Sequence, residues 1–251
     1  MREPEPIFAD TLSLSKALPL IPSIKYRGLL HDYEFGNKNP AGAVIDFKNG
    51  DCVNTCIRML SEYQGLRVGL LNMASNVRPG GGVVHGAQAQ EEDICRRTNL
   101  YLTISKQTYP LREDDILCSP DIKVLKTSNY VELPDPITIH GVLSAAALRR
   151  PETKDNGLLY SNDQDRCVMR MKIQLLLQTA AYHKLDCLVL GAWGCGAFYN
   201  PVNEVAKLFA EELKKTEVRN AFKHVTFAIR DNPGRSLCNE FREAFTMVLP
   251  V

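Results

Sequence analysis

The sequence predicts an α/β sandwich with a mixed, largely parallel sheet. Short apolar, β-rich runs alternate with amphipathic helical runs along most of the chain, and two glycine-rich loops each follow directly on such an apolar run. In sheets of this kind ligands bind in the crevice at the carboxyl ends of strands, so the two loops are expected to line one crevice.

The elements follow in order. Pro4, Pro6, Pro19 and Pro22 fragment residues 1–38, which are read as an N-terminal extension or arm carrying at most a short helix. The main domain is expected over 39–251. Residues 43–47 (Ala-Val-Ile-Asp-Phe) form a strand, Asn49-Gly50-Asp51 a turn and helix cap, and 52–63 a helix. Residues 66–73 form a buried strand, and the first glycine loop follows. A helix starts near Gln90 and continues through Ile94, Leu100 and Leu102. Residues 122–125 and 137–143 read as strands flanked by Pro120, Pro134 and Pro136, and the polar stretch 150–162 as an exposed loop. A long amphipathic helix runs over 163–183, with Val168, Met171, Ile173, Leu176 and Leu177 on its apolar side. Strand 187–190, glycine loop 191–196, helix 202–215, strand 224–229 and helix 236–245 complete the chain.

Bulk properties bound the function. The chain has 251 residues, enough for one large domain or two small ones. Apolar residues make up 45% and charged residues 24%, the balance of an ordinary globular protein. A formal net charge of +1 argues against a broad nucleic-acid surface, though not against an anion pocket built from backbone amides. No apolar run suggests a membrane span and none near the N-terminus suggests a secretory signal. The eight cysteines are scattered without a CxxC pair, and several lie inside apolar runs, so they read as buried free thiols of a reducing, intracellular compartment.

Two loops carry the candidate chemistry. The first runs Asn72-Met73-Ala74-Ser75-Asn76, then Pro79-Gly80-Gly81-Gly82, then Gln90-Glu91-Glu92. Short amide and hydroxyl side chains at a strand end suit sugar hydroxyls, and consecutive glycines let the main chain approach a ligand. Acidic residues in a first helical turn are also what the helix dipole favours, which is the plain structural reading of Glu91 and Glu92. The open triglycine loop upstream tips the balance toward acid chemistry. The second loop, Gly191-Ala192-Trp193-Gly194-Cys195-Gly196-Ala197-Phe198 with Asn200-Pro201, joins an apolar strand to a helix. Such a turn can aim amides at a diphosphate, although glycines after a strand more often mark only a tight turn. It has neither the P-loop ending nor the GxGxxG order of a dinucleotide fold, which argues against an oxidoreductase. His31, His85, His140, His183 and His224 lack metal spacing, so no metal or cofactor is expected. His85 is read as loop packing or solvent-facing, and Cys195 has no legible base to make it a nucleophile. Arg78, Arg96 and Arg97 read most simply as exposed on a solvated face.

The first loop, continued by Cys95-Arg96-Arg97-Thr98-Asn99-Leu100-Tyr101, together with the second, resembles the bacterial-type poly(ADP-ribose) glycohydrolases of the macrodomain superfamily. The resemblance covers roughly residues 40–235 and departs at Met73, where the family often has an aromatic residue. It implies a macrodomain-like three-layer α/β/α sandwich and hydrolysis of ribose–ribose bonds, favouring release from chain ends. Glu92 matches the catalytic acid, and Glu91 the residue that holds ribose hydroxyls. Gly80, Gly81 and Gly82 cover the distal ribose and diphosphate, with Asn72, Ser75, Asn76 and Gln90 as neighbouring substrate contacts. Gly194, Cys195, Gly196 and Ala197 match the second phosphate loop, and Phe198 an aromatic packed on the ADP-ribose. Asp51 lies where many macrodomains read the adenine amino group. The implied partner is ADP-ribose or poly(ADP-ribose) on modified proteins. The implied setting is a monomer, cytoplasmic or nuclear, reversing ADP-ribosylation in the DNA damage response. Two other readings stay open: a hydrolase of single O-linked ADP-ribose on protein or nucleic acid, and a module that binds ADP-ribose without cutting it.

The expected mechanism uses one carboxylate. Adjacent helix residues point roughly 100° apart, so Glu91 and Glu92 cannot straddle a bond as a glycosidase pair does. Glu92 is expected to donate a proton, with burial and the Glu91 charge raising its pKa.

Overall fold

A computed structural model describes residues 5–30, 33–231 and 233–251. Pro4, with residues 1–4 of the expected extension, and His31 lie outside the described residues. The elements are α1 (Pro6–Lys16), β1 (Ile24–Arg27), β2 (Val44–Asn49), α2 (Cys52–Glu62), β3 (Val68–Met73), α3 (Gln90–Arg97), α4 (Leu100–Ile104), β4 (Asp115–Lys126), β5 (Glu132–Ala145), β6 (Thr153–Lys154), β7 (Leu159–Tyr160), α5 (Asp163–Tyr182), β8 (Cys187–Leu190), α6 (Val202–Lys214), α7 (Thr216–Asn220), β9 (His224–Ile229) and α8 (Leu237–Thr246). A short 3-10 turn, Val83–His85, precedes α3.

The seven-stranded sheet has the order β1-β4-β5-β3-β8-β9-β2. The run from β5 to β2 is parallel, whereas β1, β4 and β5 pair antiparallel. The parallel strands are buried on both faces, and their period-two pattern fills two cores. Leu71, Leu188, Leu190 and Phe227 face α5, α6 and α8, while Val68, Leu70 and Val189 face α1 to α4. This is the expected three-layer sandwich. On the first face Phe227 meets Phe47, Phe209 and Phe241 with ring centroids 5.3, 5.3 and 5.1 Å apart. Each buried phenylalanine of that cluster contributes about 1.5–3 kcal/mol by leaving water.

Several expectations change. Among the described residues of 1–38, α1 has 11 residues and packs on α3 and α4, and β1 adds a strand to the main sheet that was not read from the sequence. The helix from Gln90 breaks at Thr98–Asn99, where the Asn99 amide bonds to the Lys123 carbonyl. The two middle strands are one long β4–β5 hairpin, and Pro120, Pro134 and Pro136 lie within its strands. Pro120 opposes Gly141 without contributing an N–H, a position an edge-proximal antiparallel pair tolerates. In α5, Met169 and Leu175 belong to the core, while Met171 is only half-buried. Cys167 is exposed, and the other seven cysteines are buried free thiols.

Candidate active site

Since β2, β3, β5, β8 and β9 run parallel, their carboxyl ends share one edge. The loops leaving them enclose a cleft of about 510 Å³. Both glycine loops wall it, with Gly50 and Asp51 from the β2–α2 turn and Ile229 and Arg230 after β9.

The first loop is held by the first turn of α3. Gln90 continues the ladder of β3 where the strand ends. Its Nε2 donates to the Leu71 carbonyl at 2.7 Å, and its Oε1 accepts from the Met73 amide at 2.8 Å. Its amide is therefore committed to the scaffold, although the residue borders the cleft. Glu91 turns into the loop. Its carboxylate accepts from the Ser75 amide at 2.7 Å, the Gly80 amide at 3.2 Å and Asn72 Nδ2 at 3.4 Å. Burial, aided by the nearby Glu92 charge, pushes the Glu91 carboxyl up to about 8 despite those donors.

Glu92, one residue on, turns into the cleft. Its Oε1 accepts from the Gly82 amide at 2.7 Å, while its Oε2 is buried without a partner among the described residues. Gly81 makes that geometry possible. Its φ is +55°, and a Cβ there would stand 2.3 Å from Glu92 Oε1.

Three expected contacts do not reach the cleft. Asn72 is fully buried and donates to Ser144 Oγ at 3.0 Å, so it positions Glu91 rather than touching a ligand. Gly80 packs against the Tyr101 ring. The Cys195 thiol turns inward, where burial raises its pKa, which removes it as a nucleophile. Ser75, Asn76, Gly81, Gly82, Gly194, Gly196, Ala197 and Phe198 do line the cleft. His85 is exposed and does not line it. Among the described residues no cluster of three or more His, Cys, Asp or Glu could hold a metal.

Asp51 has more work than expected. It caps α2 by accepting from the Asn54 amide at 2.7 Å, pairs with Arg97 Nη1 at 2.6 Å and lies 3.3 Å from Arg230 Nη2. Burial opposes its ionisation, but Arg97 and the Asn54 amide outweigh that and hold the carboxyl below its usual range. Arg96 and Arg97 are buried, contrary to the reading of an exposed face. Arg96 pairs with Glu5 at 3.0 Å, and Arg97 also bonds Asn54 Oδ1 at 2.6 Å. Glu5 and Asp51 are distant in sequence from these arginines, which is why α3 looked solvated.

The second loop is held from behind. Buried Trp193 donates from Nε1 to the Ala145 carbonyl at 3.2 Å. Asn200 Nδ2 donates to the Leu148 and Gly194 carbonyls at 2.7 and 3.2 Å, and its Oδ1 accepts from the Tyr160 hydroxyl at 2.9 Å. Gly194 adopts φ +78°, where a Cβ would meet Ala147 and Asn200 at 2.5 Å. The amides of Gly196, Ala197 and Phe198 take no backbone acceptor among the described residues and stand before the start of α6. They form a concave set of donors suited to an anion.

Sequence reasoning missed Arg149, Arg230 and Trp193 as cleft residues and Asn200 and Tyr160 as their supports. The signal for Arg149 was present: it directly follows the apolar run that ends β5, at the same sheet edge as both glycine loops.

The cleft is thus walled by both glycine loops at the carboxyl edge of a macrodomain-like α/β/α sandwich, with Glu91 and Glu92 among its lining residues. Residues 25–127 match the family described as microbial-type PARG, catalytic domain. The structure is similar to poly(ADP-ribose) glycohydrolase from Thermomonospora curvata, with a TM-score of 0.78 and 29% identity over 94% of this chain and 89% of that one. The same enzyme bound to the inhibitor ADP-HPD gives a TM-score of 0.72 and 27% identity over 95% and 88%. Poly(ADP-ribose) glycohydrolase from Deinococcus radiodurans in complex with ADP-ribose gives 0.71 and 26% over 99% and 98%. No curated protein sequence matches the chain. The chain is thus similar to the microbial-type PARG catalytic domain over residues 25–127, and its fold is similar to that of the bacterial poly(ADP-ribose) glycohydrolases.

Proposed function

We propose that the protein hydrolyses the ribose–ribose O-glycosidic bond of poly(ADP-ribose), with Glu92 as general acid and then general base. The observation that carries this reading is the Glu92 carboxyl of the cleft wall: one oxygen is pinned by the Gly82 amide, and the other is buried without a partner among the described residues. A proton on that free oxygen passes to the leaving ribose oxygen as its bond to the anomeric carbon breaks. The oxocarbenium-like carbon is then attacked by water, whose proton returns to Glu92. Glu91 turns into the loop and cannot stand across the bond, so a single carboxylate serves both steps. Its part is to hold the Ser75–Gly80 segment in place, with ribose hydroxyls meeting the loop it shapes.

The diphosphate of ADP-ribose is assigned to the free amides of Gly196, Ala197 and Phe198. Phe198 supplies an apolar wall. Asp51 stands at the adenine end, sharing its outer oxygen with Arg230. A cleft of about 510 Å³ suits one ADP-ribose unit rather than a chain passing through, which favours release from chain ends. Product analysis on purified poly(ADP-ribose) tests this. Early accumulation of ADP-ribose alone is expected. Early oligomers would overturn the chain-end mode. Activity confined to single ADP-ribose on protein or nucleic acid would replace the polymer reading.

A further inference from the structure

Beside the second loop, outside the cleft itself, two left-handed residues face each other. Arg150 has φ +52° and Tyr199 has φ +58°. Neither is glycine, asparagine or aspartate, and such conformations are uncommon for bulky residues. They persist where surrounding contacts over-determine them, and they concentrate at ligand clamps. Here the Arg150 amide donates to the Phe198 carbonyl at 2.8 Å and the Tyr199 amide to the Gly196 carbonyl at 3.0 Å. Both residues are thereby tied to the loop assigned to the diphosphate. The Arg150 guanidinium lies 5.3 Å over the Tyr199 ring. Tyr199 is nevertheless 64% exposed, so its outer surface remains available. Arg149, next in the chain, lines the cleft and connects this ledge to it. Among the described residues, neither Arg149 nor Arg150 takes part in an ion pair.

We propose that this ledge is a second subsite, which takes the ADP-ribose unit adjoining the one in the cleft. It rests on the reading of the cleft given above. An exposed aromatic face beside unpaired arginines is the set that receives a base and its phosphates: the ring stacks on the base, and the guanidinium groups meet the negative charge. The adenine of the second unit stacks on Tyr199, and its diphosphate lies against Arg149 and Arg150. The strained backbone holds the ledge in place before the ligand arrives, which lowers the ordering cost of binding. A single-stranded nucleic acid offers similar groups. The near-neutral charge of the whole chain favours the short, local contact over a long strand.

The test uses the intact chain carrying Glu92→Gln, so that ligands survive, and calorimetry with ADP-ribose and with a two-unit ADP-ribose oligomer. The oligomer is expected to bind about tenfold more tightly, the scale of one stacked base with phosphate contacts. That preference is expected to shrink as salt is raised. Adding Tyr199→Ala or Arg150→Gln is expected to abolish the preference while ADP-ribose affinity stays unchanged. Both side chains are exposed and lie outside the cleft wall, and an unchanged urea unfolding curve is expected for each variant. Equal affinity for one and two units would overturn the subsite, as would equal preference for a single-stranded oligonucleotide of matched charge. If ADP-ribose itself failed to bind, the reading of the cleft would fall and the ledge with it.

Discussion

The two glycine loops leave adjacent strands, yet they are secured in opposite ways. The first is fastened by the first turn of α3, which carries the proposed acid: Gln90 to the end of β3, Glu91 to Ser75 and Gly80, Glu92 to Gly82. The second is fastened by groups behind it, Trp193 to Ala145 and Asn200 to Leu148, Gly194 and Tyr160. Structure and reaction are therefore entangled in the first loop and separable in the second. A substitution in the first loop is expected to disturb both folding and turnover, whereas one behind the second should weaken binding and leave the proton transfer intact.

The largest expected stability effect lies under the first loop. Arg97 is fully buried between Asp51, Asp93 and Asn54, and it ties α3 to the start of α2. Arg97→Met is expected to cost about 3–5 kcal/mol in urea unfolding, since it leaves largely buried Asp93 without its cation and Asp51 with only the exposed Arg230. The exposed pair Arg235–Glu240 is the control, and its loss should cost about 0–1 kcal/mol.

Glycine substitutions come next. Gly81→Ala places a Cβ 2.3 Å from Glu92 Oε1 at a positive φ, whereas Gly196→Ala meets nothing within 4 Å. The first is expected to cost about 1–3 kcal/mol and most of the turnover, the second within about 0.5 kcal/mol. Equal stabilities would contradict the contrast between the loops.

Asn200→Ala is expected to lose about 1–3 kcal/mol, because it strands the Leu148 carbonyl and the Tyr160 hydroxyl, while the Gly194 carbonyl keeps the residue-200 amide. Steady-state kinetics should show a raised KM with a nearly unchanged kcat, the signature of a binding loop loosened from behind.

A separate effect lies in the pH dependence of stability. Glu91 has its carboxyl pushed up from 4.5 to about 8 by burial. Between those values the folded chain holds a proton that the unfolded chain has released, so the contribution from Glu91 falls as pH rises through that window. Glu91→Gln is expected to flatten that part of the profile when unfolding free energies are compared at acid, neutral and alkaline pH. An unchanged slope would place the ionisation elsewhere.

Much of this arrangement was legible in the sequence because it is local. The alternation of apolar runs, the Asp51 cap and both glycine loops are each written within a few residues. What stayed hidden depends on distant partners. Arg96 and Arg97 look like surface cations until Glu5 and Asp51 are brought to them. Gln90 and Asn72 look like ligand contacts until the end of β3 and Ser144 satisfy their amides. The prolines of 115–145 suggested strand ends, but an antiparallel hairpin near the sheet edge admits them. Met169 and Met171 lie roughly 200° apart around α5, and the packing of that helix on the sheet puts Met169 in the core.

The claim at the centre of this account is that Glu92 transfers the proton while the rest of the cleft binds. It is tested most directly by measuring ADP-ribose release from purified poly(ADP-ribose) by wild type and Glu92→Gln, with ADP-ribose affinity determined on the same preparations. The predicted result is release by wild type, a loss of about 10²–10⁴-fold or more in the variant, and similar affinity in both. Comparable release by the variant would contradict the claim, and binding without release by either protein would make this a reader of ADP-ribose rather than a hydrolase of its polymer.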